Sequence, residues 1–363
     1  MNPGAIGEMF VNISLDDSAF RQGLTNVQTQ MQQTGEKMKS IGMTAEQLGQ
    51  KIQGLGQKIQ GFGQKMTGLG KDLSIKVTAP LTAMGAGVVK LGMDFEAAMS
   101  EVGAISGATG EDFKALENKA KELGAATKFS SSEAAEGLKY MAMAGWDTEK
   151  MLDGLPGILK LAAASGEDLG LVSDICTDAM TAFGMEASKA TEFADTLAMA
   201  SSKSNTNVSM LGESFKYVAP VAGALGFKAK DTAIALGLMA NAGIKGSQSG
   251  TALRTMMTNL AKPTDAMAMA MDKYGISLTH TDGSMKTLDE VMLNLRSSLG
   301  GLTEAEQAAA AATIFGKEAM SGALAIVNTS EEDFNKLTRA INNSTGAAER
   351  MSKEMQDNLQ GRL

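Results

Sequence analysis

The stretch AGWDTEKMLDGLPGILKLAAASG, residues 144–166, decides the fold. Its apolar positions recur at helical spacing, and Gly145 and Gly166 stand where a C′ glycine closes a helix. Gly184, Gly226, Gly243, Gly275 and Gly316 each end an apolar-periodic stretch in the same way. Thr109 with Asp112, and Ser130 with Glu133, have the spacing of capping boxes at helix starts. From about residue 92 this punctuation predicts helices of roughly 10–18 residues joined by loops of about 2–6, an all-α multi-helix body. One segment differs. ISLTHTDGSMK, residues 276–286, alternates around Asp282-Gly283 and predicts a small β-hairpin.

A weaker regularity runs through the body. Lys139-Tyr140 before MAMAG matches Lys216-Tyr217 before VAPVAG. At the same offset of 77, Leu159, Leu161, Ala163 and Gly166 match Leu236, Leu238, Ala240 and Gly243. Thr127 and Ser130 match Thr206 and Ser209 with a two-residue slip. The pattern reads as two copies of one helical unit, near 109–184 and 186–261.

Toward the N-terminus the rhythm changes. Val11, Ile13 and Leu15 alternate with polar neighbours and predict a short strand within residues 1–20. From Leu24 to Leu73 apolar positions keep an unbroken 3–4 spacing, with Ile41, Leu48, Ile52, Leu55, Ile59, Phe62, Met66 and Leu69 as its seam. This is a heptad repeat and predicts a long coiled coil over 21–76. Gly35, Gly42, Gly49, Gly56, Gly63 and Gly70 fall at one heptad position beside that seam, and Gly54, Gly61 and Gly68 form a second row. Inside a lone helix each would cost about 0.8–1 kcal/mol relative to alanine. The segment is therefore expected to be partnered, its glycines letting backbones approach closely. Lys37, Lys51, Lys58 and Lys65 occupy g positions without acidic e partners and should point outward. Thr78-Ala79-Pro80 ends the heptads.

The 363-residue chain has a formal charge of −8, but residues 21–76 carry +5 and the remainder is acidic. That balance argues against free nucleic acid as a partner of the whole chain, and no specific nucleic acid sequence is expected to be bound. Cys176 and His280 are the only cysteine and histidine. A disulfide framework and a thiolate–imidazole metal site are thereby excluded. The 27 methionines suit an adaptable interior, and AMAMAM, 266–271, reads as a pliable packing face. The N-terminus lacks the pattern of a secretory signal, and uncharged apolar runs such as 77–89 fall short of the roughly 20 residues that cross a bilayer. The chain is expected to be soluble.

Catalytic patterns are not found. His280 among Thr279, Thr281 and Asp282 reads as an exposed turn residue. GIKGSQSGT, 243–251, has no lysine before Thr251 and fails the phosphate-loop pattern. Trp146, at a helix end, reads as a core anchor or hydrophobic cap, and Cys176 as a small core hydrophobe. No catalytic residue, cofactor or metal is assigned.

An ordered set of segments runs from about 73 to 346. The segments are LSIKVTAPLTAMG (73–85), DFEAAMSEVGAISGATGEDFKAL (94–116), AGWDTEKMLDGLPGILKLAAASG (144–166) and TAFGMEASKATEFADTLAMASSKSNTNV (181–208). YVAPVAGALGF (217–227), LMANAGIKGSQSGTALRTMMTNLAKP (238–263), GISLTHTDGSMKTLDEV (275–291) and FGKEAMSGALAI (315–326) follow. In this order they resemble the core region of phage tail tape measure proteins, and the positions that carry the likeness include Pro80, Gly145, Trp146, Pro156, Gly184, Pro220, Gly243, Gly250, Thr251 and Gly283.

The resemblance implies a structural ruler that templates tail tube length in assembly and leaves the tube with or before the DNA at infection. It implies a homo-oligomer of a few parallel copies, tail tube protein, tail assembly chaperones and baseplate or tail tip proteins as partners, and the host membrane as a further contact. The expected place is the lumen of the virion tail, with the host cytoplasm during assembly. A membrane-active ejected protein is the alternative, and a peptidoglycan-degrading enzyme a lesser one. Family members run much longer, and this chain stops inside an amphipathic run (Met351, Met355, Leu359), so it is expected to be a fragment, a split reading frame or a ruler for a very short tail. The expected division is 1–20, 21–76, 77–346, and a further helix starting at 347–363.

Overall fold

Helix ends set the architecture of residues 92–357, the part that the computed structural model describes. The expected N-terminal strand, the heptad segment with its seam and glycine rows, and Pro80 lie outside the described residues.

A helical run over 92–106 (α1) is followed by α2 (Gly110–Ala126), α3 (Ser131–Met143), α4 (Thr148–Ser165) and α5 (Leu169–Ala182). A 3₁₀ turn at Ala187–Lys189 leads into α6 (Ala190–Lys203), α7 (Val208–Ala224), α8 (Ala229–Asn241) and α9 (Gly246–Ala261). Then come α10 (Asp265–Tyr274), α11 (Leu288–Leu299), α12 (Glu304–Phe315), α13 (Met320–Asn328), α14 (Glu331–Asn342) and α15 (Ala347–Gln356). The described part is mainly α.

One terminator recurs. At the end of α3, Gly145 takes φ 81°, a left-handed conformation that a side chain would strain. Its amide donates to Ala142 O (2.9 Å) and that of Trp146 to Met141 O (3.1 Å), the paired bonds of a Schellman motif. Gly184–Met185, Gly226–Phe227, Gly243–Ile244 and Gly275–Ile276 repeat the pair. The apolar residue after the glycine returns toward the core: Trp146, Phe227, Ile244 and Ile276 are buried. Each helix thus stops and turns inward in one step.

Starts are capped from the other side. Ser130 and Glu133 form the expected reciprocal box, and Thr287–Glu290 and Thr303–Glu306 form two more. The box expected at Thr109 and Asp112 is not made, for Thr109 has no side-chain cap bond. Gly110 follows it at φ 59°, so the first turn does not carry the third amide over the threonine oxygen.

In α8, Asp231 to Ala240 are buried without a break, as for a helix surrounded on all sides. It packs against α6, α7, α9, α11, α13 and α14. A second centre is α4, with Leu155, Ile158, Leu159 and Leu161 buried between α3, α5, α6 and α15. Phe215 joins them, edge-on to Phe193 at 5.8 Å and to Phe183 at 5.9 Å.

The expected hairpin over 276–286 is not a pair of strands. It is a turn closed by a single antiparallel bridge, Thr279 to Met285. Local side-chain bonds take up the backbone groups that a longer ladder would need. Ser277 Oγ accepts from Thr279 N (3.0 Å), and Asp282 Oδ1 accepts from Ser284 N (2.9 Å) and Ser284 Oγ (2.6 Å).

Candidate functional site

Several positions that carried the family likeness lie at helix ends and helix crossings. The GLPG sequence at 154–157, in α4, serves two of these contacts. Gly154 leaves room for the Trp146 ring, and Gly157 lies against the Thr191 backbone on α6, where an added methyl carbon would meet Cα at 2.7 Å. Pro156 between them is half-buried and removes one amide from the helix ladder. Pro220 does the same on the exposed side of α7.

In the GSQSGT sequence, 246–251, Gly250 lies directly on the Ser214 carbonyl where α7 and α9 cross. Ser214 Oγ stands 2.8 Å from Ser249 Oγ and 2.9 Å from Gly246 O, with Ser214 and Ser249 both buried. At the α3–α5 crossing the positions 77 residues earlier meet with the residue types exchanged: Gly137 faces Ser173 Oγ. Thr251 lines a shallow surface groove with Ser247, Gln248, Thr255 and Glu318. Gly184 and Gly243 end α5 and α8, and Gly283 sits at the tip of the 280s turn with φ 85°. These positions do not converge on one cleft.

The polar interior is equally specific. Asp195 on α6 is buried and accepts from the amides of Gly346 (2.7 Å) and Ala348 (2.9 Å). Arg296 on α11 donates to Ile326 O (2.7 Å), Val327 O (3.3 Å) and Thr329 O (2.7 Å), and covers the Phe334 ring at 4.6 Å. It thus caps α13, whose carbonyls would otherwise lack donors. Burial, and then the nearby Asp289, raises the Asp231 carboxyl above its ordinary value. Burial, then Glu290, raises that of Asp289. Cys176 is fully buried, and that burial pushes its thiol pKa up.

Among the described residues no three or more His, Cys, Asp and Glu side chains gather to hold a metal. His280 is exposed, 3.6 Å from Glu290, which already serves the Thr287 cap. In the 266–271 face, Met271 is buried while Met269 is 72% exposed. No described helix is long and apolar enough to cross a membrane.

The family model of the phage-related minor tail protein matches residues 117–316, from α2 to the end of α12, more than half of the chain. The chain belongs to the phage-related minor tail protein family. It is 41% identical over 293 residues to the tape measure protein of Pneumococcus phage Dp-1, covering 81% of this chain and 26% of that protein. It is 28% identical over 292 residues to the probable tape measure protein of Escherichia phage P2, covering 79% of this chain and 36% of that one. A probable tape measure protein of Clostridium phage phiCD119 matches 40% of this chain at 28% identity. The chain therefore spans about a quarter to a third of the first two relatives. No solved structure matches it.

The family likeness was legible in sequence. Two polar anchors were not: Asp195 and Arg296 act across 151 and 30 residues and belong to no local pattern.

Proposed function

We propose that this chain is part of a tail ruler, a structural protein of the virion tail that sets tube length in assembly and leaves with or before the DNA. The observation that carries this is the 41% identity with a tape measure protein across 81% of the chain. In the proposal the 21–76 heptads contribute to that length as a bundle of sister copies, zipped along Ile41, Leu48, Ile52, Leu55, Ile59, Phe62, Met66 and Leu69. Gly35, Gly42, Gly49, Gly56, Gly63 and Gly70 permit the close approach. The outward lysines meet the tube protein lining the lumen. Tail chaperones and baseplate or tip proteins are the other partners.

The helical body after residue 92 acts in this reading as a folded end-piece, built from two related four-helix units, α2–α5 and α6–α9. The exchanged Gly–Ser pairs at the two crossings support that relation.

The test is tail length in virions or tail-like particles carrying in-frame deletions of whole heptads. At about 1.5 Å per residue, removing four heptads should shorten the tube by about 42 Å. Electron micrographs showing intact tails of unchanged length would overturn the ruler reading.

A further inference from the structure

Helix α15 is docked differently from its neighbours. Ala347, Ala348 and Ser352 are its buried residues, and Met351 is half-buried, so it brings little apolar surface to α4 and α6. Its own sequence supplies no side-chain cap. The cap comes from Asp195, a carboxylate 3% exposed that receives the Gly346 and Ala348 amides at 2.7 and 2.9 Å. Farther along, Glu349 Oε2 pairs with Lys160 of α4 at 2.9 Å and Oε1 with Lys353 at 2.7 Å. Docking thus combines close approach of small residues to α4 and α6 with a few directed polar contacts.

The connection before α15 stores a cost. Ser344 is 1% exposed, and its hydroxyl has no hydrogen-bond partner among the described residues. Burying such a group is unfavourable, and opening the connection would return it to water. Gly346, at φ 74°, gives the same connection a flexible joint.

We propose that α15 is a detachable clasp, held on α4 and α6 by Asp195 and able to swing away about residues 343–346 while the rest of the body stays folded. Detachment frees the Asp195 carboxylate and the groove beneath the helix.

Hydrogen exchange of the 363-residue chain, read by mass spectrometry peptide by peptide, tests this. In the parent, peptides within 346–356 should exchange through an opening separate from that of α7–α9. In Asp195→Ala their exchange should rise about tenfold or more, the size expected when two hydrogen bonds to a charged acceptor are lost, with α7–α9 unchanged. Lys160→Ala removes only the exposed ion pair, so the chain should fold even if the first variant does not. It should raise exchange of the same peptides about twofold to fivefold. Exchange of 346–356 in step with α7–α9 in the parent, or no selective rise in either variant that folds, would overturn the clasp.

Discussion

Gly250 on α9 lies on the carbonyl of Ser214 on α7, with no space for a methyl group between them. The contact between Gly137 and Ser173, 77 residues earlier, is looser: a methyl carbon at 137 would stand 3.3 Å from Ser173 Oγ and Leu155 Cδ1. The two crossings should therefore answer the same substitution differently. Gly250→Ala must push backbone aside and is expected to cost about 2 kcal/mol. Gly137→Ala meets side-chain ends only and gains helix propensity, so it should stay within about 0.5 kcal/mol of the parent. Urea midpoints of the two variants decide the matter, and equal losses would refute the distinction.

Trp146 is the sole tryptophan, and its ring occupies the space that Gly154 leaves open. Gly154→Ala should expel the ring, moving the emission maximum to longer wavelength while helical circular dichroism persists at low temperature. An unshifted spectrum in a folded variant would show that α4 and the ring can adjust together.

The helix ends show what a sequence can and cannot disclose. Gly145, Gly184, Gly226, Gly243 and Gly275 are local signals, because a helix that turns back needs a left-handed residue followed by an apolar one. Ser130 with Glu133 is equally local. The 276–286 segment misled because alternation alone cannot tell a ladder from a turn whose serine and aspartate side chains bind the backbone first. Thr109 misled because Gly110 changes the entry angle. Arg296 was invisible since the carbonyls it serves lie 30 to 33 residues away. The crossing role of Gly250 was hidden for the same reason. The likeness marked the position, and only the packing gave it a cause.

Arg296 supplies a test of that long-range capping. Arg296→Lys keeps the charge but gives up the guanidinium that covers Phe334, and a shorter side chain must bring its ammonium to the three carbonyls that Nη1 serves. Stability should fall by about 2 kcal/mol, measured by urea unfolding. An unchanged midpoint would mean that a single ammonium suffices to finish α13.

Acid should loosen α15. Hydrogen bonds and charge from Lys353 and Lys160 hold the Glu349 carboxyl down from 4.5 to about 2. Lys353 lies on α15 itself, so it is the Lys160 share of this depression that favours docking; that share is fully present above the undocked value and fades as pH falls from 4.5 toward 2. Exchange of the 346–356 peptides, corrected for intrinsic pH effects, should accelerate over that window. The Glu349→Gln variant should lack that pH-dependent component, and an identical profile in both would assign it to another group.

The sealed position of Cys176 makes fluorescence work simpler. A thiol placed by mutation on an exposed site would face no competitor for maleimide dyes in the native protein. Two such sites, one early in the chain and one in the helical body, would report end-to-end distances without first deleting the natural sulfur.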